Sequence, residues 1–169
     1  MTSYFDELFP VGTPTLLTGV RGSGKTTFAF ELCKGNLTSL KPSEAEVSAL
    51  VNRVIAIEEK VRPSFIVFDY DRMPIDENSH NQVAAYFETI KTMAQLTSVR
   101  VLFMICICKD VKPTGASSDI FRRALHIHKE DGVFYVTVTK HDSKDILGTR
   151  FTFGFNKDGV FKQTGVIFP

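Results

Sequence analysis

The apolar residues of this chain fall into two kinds of pattern, short continuous runs and longer stretches with helical spacing. Residues 65–68 form a continuous apolar run, and residues 14–18 and 99–108 form runs that are apolar except for Thr15, Thr18 and Arg100. A strand that is buried on both faces, as in a parallel sheet, has this kind of pattern. We therefore predict three buried parallel strands at these places.

Stretches with helical spacing lie between these runs. Residues 25–33 follow the first run and are expected to form a helix that ends at the Gly-Asn that follows. Two later helices are predicted near residues 43–61 and 79–96, because each begins with a capping box and continues with apolar residues at helical spacing.

The last third of the chain has a different pattern. Residues 120–127 form a short element of undecided type, and residues 133–140 are expected to form a strand. Residues 150–155 and 160–162 predict a hairpin, since an Asp-Gly turn signal lies between them. The order predicts an α/β fold, a mostly parallel twisted sheet with flanking helices and an antiparallel C-terminal hairpin.

Length and composition limit the class of protein. A chain of 169 residues is expected to form a single domain, residues 1–169, with its own core. The net charge of +1 gives no overall basic signal for nucleic acid. Three cysteines are too few for a disulfide framework, and no apolar segment is long enough for a membrane span. We expect a cytoplasmic protein, or one inside a host cell if it is viral, and the nucleus stays open.

The most specific signal is a glycine-rich stretch directly after the first apolar run. Residues 19–26 match the phosphate-loop pattern G-x-x-x-x-G-K-[ST] between a predicted strand and a predicted helix. Backbone N–H groups of such a loop converge on phosphate oxygens, and the helix N-terminus adds positive potential. The residues expected to bind the nucleotide are Gly19, Arg21, Gly22, Ser23, Gly24, Lys25, Thr26 and Thr27.

An aspartate supplies the second element of this predicted site. Asp69 ends the buried run at residues 65–68. In an α/β sheet, acids at the carboxyl ends of strands face the ligand crevice, and in phosphate-loop proteins such an aspartate organises Mg²⁺. We therefore predict ATP and Mg²⁺ as cofactors, with Thr26 and Asp69 at the metal. Asp71 and Asp76 either activate water or only solvate the following loop.

These motifs resemble the core of the RecA-like ATPases, which include bacterial recombinases, RadA/Sms, the DnaB helicases and KaiC. The resemblance rests on LLTGVRGSGKTTFAFELC, on Ile66-Val67-Phe68-Asp69-Tyr70, and on the strand and hairpin from residue 136 to residue 153. It implies a RecA-like fold, ATP hydrolysis, and assembly into a ring or filament with nucleotide between subunits.

The same resemblance implies that Lys140 reaches the nucleotide of a neighbouring subunit and acts there as a catalytic cation beside Lys25 and Asp69. A cation in that place stabilises charge on the transferring phosphoryl group. An exposed lysine at a strand end is the alternative. Asp142 stands where the family has a second cation, and Arg150 or Lys144 are the possible substitutes.

Two parts of the family pattern are not apparent. Residues 34–43 are expected to be too short and too polar for the additional strand that carries the family's catalytic glutamate, and Glu58 and Glu59 fall within a predicted helix. The strand at residues 99–108 also ends without the usual glutamine. We therefore expect that hydrolysis is slow or depends on a partner.

Basic residues near the loop after the third apolar run are candidate contacts for single-stranded DNA. Family members touch DNA with loops at this place, and basic residues bind phosphates without reading sequence. The candidates are Lys109, Lys112, Arg122 and Arg123. His126 and His128 would share one face of a strand, and we interpret them as the surface of an edge strand rather than a metal site.

The sequence therefore predicts an ATP-binding and ATP-hydrolysing RecA-like protein that acts on DNA in recombination, repair or replication. A viral or mobile-element origin would fit its small size. The partners would be copies of itself or another RecA-like subunit, and single-stranded DNA. One alternative is a nucleotide-gated subunit with little turnover. A packaging or secretion motor, or a small-molecule kinase, is a further alternative.

Overall fold

The computed structural model describes residues 4–33, 37–40, 65–70, 88, 91–92, 94–96, 99–106 and 121–169. Two helices and eight strands are defined within them. In chain order the elements are α1 Phe5–Leu8, β1 Thr15–Gly19, α2 Lys25–Cys33, β2 Leu37–Leu40, β3 Phe65–Tyr70, β4 Arg100–Cys106, β5 Arg123–Glu130, β6 Val133–Lys140, β7 Arg150–Phe155 and β8 Phe161–Ile167.

The strands form one mixed sheet in the order β2-β3-β4-β1-β5-β6-β7-β8. The pairings from β2 to β5 are parallel, and those from β5 to β8 are antiparallel. The α/β class and the antiparallel extension at one side of the sheet are confirmed. The described helices are few: α1 is a single turn, α2 has nine residues, and residues 88, 91–92 and 94–96 are helical.

Three sequence predictions are local successes. Strand β1, the glycine-rich turn and helix α2 follow one another as the motif requires, with α2 beginning at Lys25. Strand β3 covers the second apolar run and continues to Tyr70, and β4 lies within the third run. The C-terminal hairpin joins β7 to β8, although β8 continues to Ile167 instead of ending at Lys162.

The prediction that residues 34–43 hold no strand was wrong. Leu37–Leu40 form β2, which pairs in parallel with β3. Strand β2 is the last strand on its side of the sheet, and its only partner in the described part of the chain is β3. A short edge strand does not need a long apolar run, and this explains why the sequence pattern did not reveal it.

The prediction that His126 and His128 lie on an edge strand was also wrong. Their strand, β5, begins at Arg123 and lies between β1 and β6 in the interior of the sheet. A tight turn at Asp131 and Gly132, both with positive φ (48° and 80°), joins β5 to β6. Two such residues are typical of a two-residue hairpin turn, so antiparallel pairing already begins between β5 and β6, before the predicted C-terminal hairpin.

The two faces of the sheet differ. Helices α1 and α2 pack on the first, which we call the helix face, and its core includes Leu17, Phe28, Leu125 and Ile127. Side chains alternate along a strand, so Thr18, His126 and His128 point to the second face, which we call the histidine face.

The two ends of the strands differ as well. We call the row of strand ends that includes the carboxyl end of β1 the loop edge, and the turns between β5 and β6 and between β7 and β8 lie there too. The other row of strand ends, which we call the opposite edge, holds the start of β5 and the end of β6. Helix α1 is fixed at this edge, where Arg123 Nε donates to the Glu7 carbonyl (2.6 Å) and Arg100 pairs with Asp6 (2.6 Å).

Candidate functional site

The glycine-rich turn links the end of β1 directly to the start of α2. Gly22 and Gly24 have φ values of 77° and 94°, in the left-handed region that favours glycine. The Ser23 amide donates to the Val20 carbonyl (3.1 Å) and closes the turn. The loop therefore has the backbone shape for which its glycines were expected, at the N-terminus of a nine-residue helix.

The Lys25 side chain lies across this turn. Its ammonium donates to the carbonyls of Gly19 and Val20, both at 2.9 Å, and the residue is only 9% exposed. These two carbonyls belong to the loop itself, so the ammonium is held within the ring of backbone that would surround a phosphate group. Phosphate oxygens are stronger acceptors than neutral carbonyls for an ammonium group.

The loop lies in close contact with β5 and β6. A Cβ added at Gly24 would come within 2.7 Å of the Phe134 ring. One added at Gly19 would come within 2.5 Å of the Ser23 hydroxyl and 2.9 Å of the Ile127 carbonyl oxygen. Neither position has room for a side chain, whereas a Cβ at Gly22 would meet nothing within 4 Å. Gly19 and Gly24 therefore set how closely the loop approaches the sheet.

The remaining loop residues differ in exposure. Arg21 and Thr26 are exposed, and Thr27 is half-buried. Ser23 is 3% exposed, and its hydroxyl is one of two buried side-chain polar groups in the described chain that have no hydrogen-bond partner. Thr26, in the first turn of α2, has the hydroxyl and the exposure that a Mg²⁺ ligand requires.

Asp69 lies one strand beyond β4, which separates β3 from β1. Its backbone lies near the carboxyl end of β3 and pairs with Met104 of β4, and Met104 pairs in turn with Leu17 of β1. Two strand spacings, about 10 Å, separate the β1 and β3 backbones. The Asp69 side chain is outside the described part, as are Asp71 and Asp76. Among the residues that are described, no group of three or more His, Cys, Asp or Glu side chains could hold a metal ion.

A hydrogen bond lies under the loop on the histidine face. The Thr18 hydroxyl and His126 Nδ1 are 2.9 Å apart, and the same hydroxyl is 3.4 Å from the Leu125 carbonyl oxygen. Burial lowers the pKa of His126 below its ordinary value of 6.5, and the charges of His128 and Lys25 lower it further. The neutral form of His126 is therefore favoured in the free protein.

Aromatic rings extend from the loop along the helix face toward the β7–β8 turn. The Phe134 ring, which contacts Gly24, lies edge-on to Phe155 and Phe161 with centroids 6.0 and 5.3 Å away. Phe155 is 57% exposed, and the Lys129 ammonium lies 5.1 Å from the Phe134 ring centroid. The exposed Phe155 ring is therefore linked to the glycine-rich turn through Phe134.

The other predicted site residues are not brought to the loop. Lys140 is half-buried at the opposite edge, where it pairs with Ala124. Arg122 is exposed beside it, and Arg123 is 18% exposed and lies 3.9 Å from Asp142. Lys109 and Lys112 belong to the part of the chain that is not described. Lys140 and the two arginines are therefore separated from the loop by the length of β5 and β6.

Sequence reasoning did not identify four residues near the loop as site residues, namely Thr18, His126, Phe134 and Phe155. The Asp131-Gly132 turn could have revealed the hairpin that brings Phe134 to the loop. No local pattern could have revealed the contact between Thr18 and His126, because it joins strands that are about a hundred residues apart in the sequence.

Comparison of the sequence with protein-family models gave no match, and neither did comparison with curated proteins. No helix in the described ranges is long and apolar enough to cross a membrane. The class of protein must therefore be argued from the loop and its surroundings.

Proposed function

We propose that this protein binds ATP with Mg²⁺ in the loop from Gly19 to Thr26 and is a RecA-like ATPase that acts on DNA. The observation that carries the proposal is the loop itself, with two left-handed glycines and Lys25 held at its centre, between β1 and α2. This backbone shape, the buried cation and the helix N-terminus all favour a bound polyphosphate.

Each residue of the proposed nucleotide site has its own role. Lys25 exchanges its loop carbonyls for the outer phosphate oxygens, and the loop amides bind the inner ones. Thr26 and Asp69 would hold Mg²⁺, which neutralises charge on the phosphate oxygens when it is bound. Gly24 lets the backbone pack on Phe134, so the loop is already close to its bound shape before nucleotide arrives.

The position of strand β2 suggests where to look for the acid that would activate water, which sequence analysis did not identify. In the RecA-like family a glutamate is carried by the additional strand between the loop helix and the metal-organising aspartate. Glu44 and Glu46 are the first acids after β2 in the sequence and lie outside the described residues. We propose that one of them activates water.

Lys140 cannot reach a nucleotide bound to its own chain and can act only on one that is bound to another copy. It ends β6, which starts at the loop edge and runs eight residues away from it, a distance of about 26 Å. A lysine side chain does not span that distance. The role that the resemblance implies for Lys140 therefore requires an assembly in which one protomer's opposite edge meets its partner's loop edge.

The experiment that tests this function is ATP hydrolysis with and without single-stranded DNA. We expect turnover that rises with DNA and is abolished in Lys25→Ala. Of the two single variants Glu44→Gln and Glu46→Gln, one should lose about 100-fold or more of the turnover and the other should keep it. Bound ATP without turnover in either condition would favour the nucleotide-gated subunit. Failure of the wild type to bind ATP would contradict the proposal.

Phe155 is expected to support the adenine base. An exposed ring near the phosphates can stack on a base, and such stacking is typically worth about 1–3 kcal/mol by alanine substitution. Phe155→Ala should therefore weaken ATP and ADP binding by about tenfold and leave binding of inorganic tripolyphosphate unchanged, as measured by calorimetry.

Phe168→Ala is the matched control for this prediction. Phe168 is 64% exposed and follows β8 at the opposite edge, away from the loop. The two variants remove the same exposed ring from different edges. Equal nucleotide affinities in Phe155→Ala and Phe168→Ala would show that Phe155 does not contact the base.

A further inference from the structure

One polar cluster next to the loop has no role in the function proposed above. Thr18 precedes Gly19, whose carbonyl accepts the Lys25 ammonium, and Thr18 is 6% exposed. Its hydroxyl lies 2.9 Å from His126 Nδ1, across the β1–β5 pairing. The titratable His126 ring is therefore hydrogen-bonded to the residue that directly precedes Gly19, the first glycine of the loop.

The Thr18 hydroxyl can serve both charge states of this ring. With a neutral His126 whose Nδ1 carries no proton, the hydroxyl donates to Nδ1. With a charged His126, Nδ1–H donates to the hydroxyl oxygen, and the hydroxyl proton turns to the Leu125 carbonyl oxygen at 3.4 Å. No buried polar group of this cluster loses its partner when the proton is added, so protonation needs only rotation of one O–H bond.

The charges around His126 change sign when a polyphosphate binds. In the free protein Lys25 of α2 acts on the ring as a positive charge, and His128 lies next to it on β5, stacked at a centroid distance of 6.2 Å. Tyr135 of β6 stacks on His128, and Glu130 lies 3.8 Å from His128 Nε2. A polyphosphate at Lys25 would add several negative charges on the same side.

We propose that His126 takes up a proton from solvent when the loop binds a nucleotide polyphosphate, so that nucleotide binding is linked to pH. This inference rests on the proposed function, since it requires an anion at Lys25. The bound polyphosphate attracts the imidazolium, and the Thr18 hydroxyl reverses its hydrogen bond to accept from it. Nucleotide affinity then rises with falling pH and falls with rising pH.

The direction follows from proton linkage. The pKa of His126 in the free protein is below 6.5, since burial, His128 and Lys25 all lower it. A bound anion raises that pKa, so the complex binds more protons than the free protein at pH values between the two. Affinity should change by about tenfold for each unit by which the bound and free pKa values differ.

The test is calorimetry of Mg²⁺-ADP binding at about pH 6.5, in buffers that differ in ionisation heat, which gives the protons taken up per nucleotide. We expect the wild type to take up more protons than His126→Asn, in which an amide can still bond to the Thr18 hydroxyl. Titration of the nucleotide's own phosphate is common to both proteins and cancels in the comparison. His141→Asn is the matched control, because His141 lies at the opposite edge beside Glu7, and it should keep the proton uptake.

Imidazole NMR signals give a second readout that does not depend on heats. The chain has four histidines, and only the signal lost in His126→Asn should shift its titration to higher pH when Mg²⁺-ADP is added. Equal proton uptake in wild type and His126→Asn, with ADP bound in both, would overturn this inference alone. Absence of ADP binding to the wild type would overturn the proposed function and this inference with it.

Discussion

Gly24→Ala is expected to destabilise the folded protein by about 3 kcal/mol. An alanine at φ 94° carries backbone strain of about 1–2 kcal/mol, and its Cβ would lie 2.7 Å from the Phe134 ring. Relief of that contact requires a shift of Phe134, which packs edge-on against Phe155 and Phe161. Urea unfolding followed by circular dichroism would measure the loss as a lower midpoint.

Gly22→Ala measures the cost of backbone strain at a positive φ without a contact such as that between Gly24 and Phe134. Gly22 also has a positive φ of 77°, but a Cβ there would meet nothing within 4 Å. We expect a loss of only about 1 kcal/mol. In the Gly24→Ala background, Phe134→Leu should recover part of the loss, because a smaller side chain frees space beside the new Cβ. Equal losses in the two glycine variants would contradict the close packing of the loop on β6.

Lys25→Ala is expected to weaken ATP binding by about 100-fold or more while the free protein stays folded. The Lys25 ammonium is the cation held at the loop, and truncation of a charged partner in a buried ion pair costs about 2–5 kcal/mol of binding. Gly19 is buried and Val20 half-buried, and removal of the Lys25 side chain leaves space in which water can bond to their carbonyls. The expected change in unfolding free energy is therefore small, within about 1 kcal/mol.

Lys157→Ala is the control for loss of charge alone. Lys157 is exposed in the turn between β7 and β8, at the same edge of the sheet as the loop. If affinity depends only on the summed charge at this edge, both variants will lose the same small factor. A specific role for Lys25 predicts that Lys157→Ala changes affinity by less than about threefold.

The parts of the fold that the sequence predicted are those with local causes. The run from Thr15 to Cys33 contains its own strand, glycines, lysine and helix, so β1, the loop and α2 could be placed without knowledge of the rest. Strands β3 and β4 are buried on both faces, and continuous apolar runs mark them. The Asp-Gly signal was recognised at the last turn and overlooked at Asp131 and Gly132.

The parts that were missed depend on partners that are distant in the sequence. Strand β2 is defined by pairing with β3 and not by its own composition. The position of β5 between β1 and β6 is a property of strand order, and it changes His126 from an expected edge residue into a neighbour of the loop. Phe134 reaches Gly24 for the same reason. The glycine-rich turn between β1 and α2 could be placed from the sequence, whereas its contacts with β5 and β6 required the structure.

The central claim is that the loop from Gly19 to Thr26 binds the phosphates of a nucleotide. Calorimetric titration of the wild-type protein with Mg²⁺-ATP, Mg²⁺-ADP, inorganic tripolyphosphate and adenosine tests it most directly. We predict that ATP and ADP bind, that tripolyphosphate binds more weakly, and that adenosine alone does not bind measurably. Adenosine binding as tight as that of ATP, or no binding of ATP at all, would contradict the account.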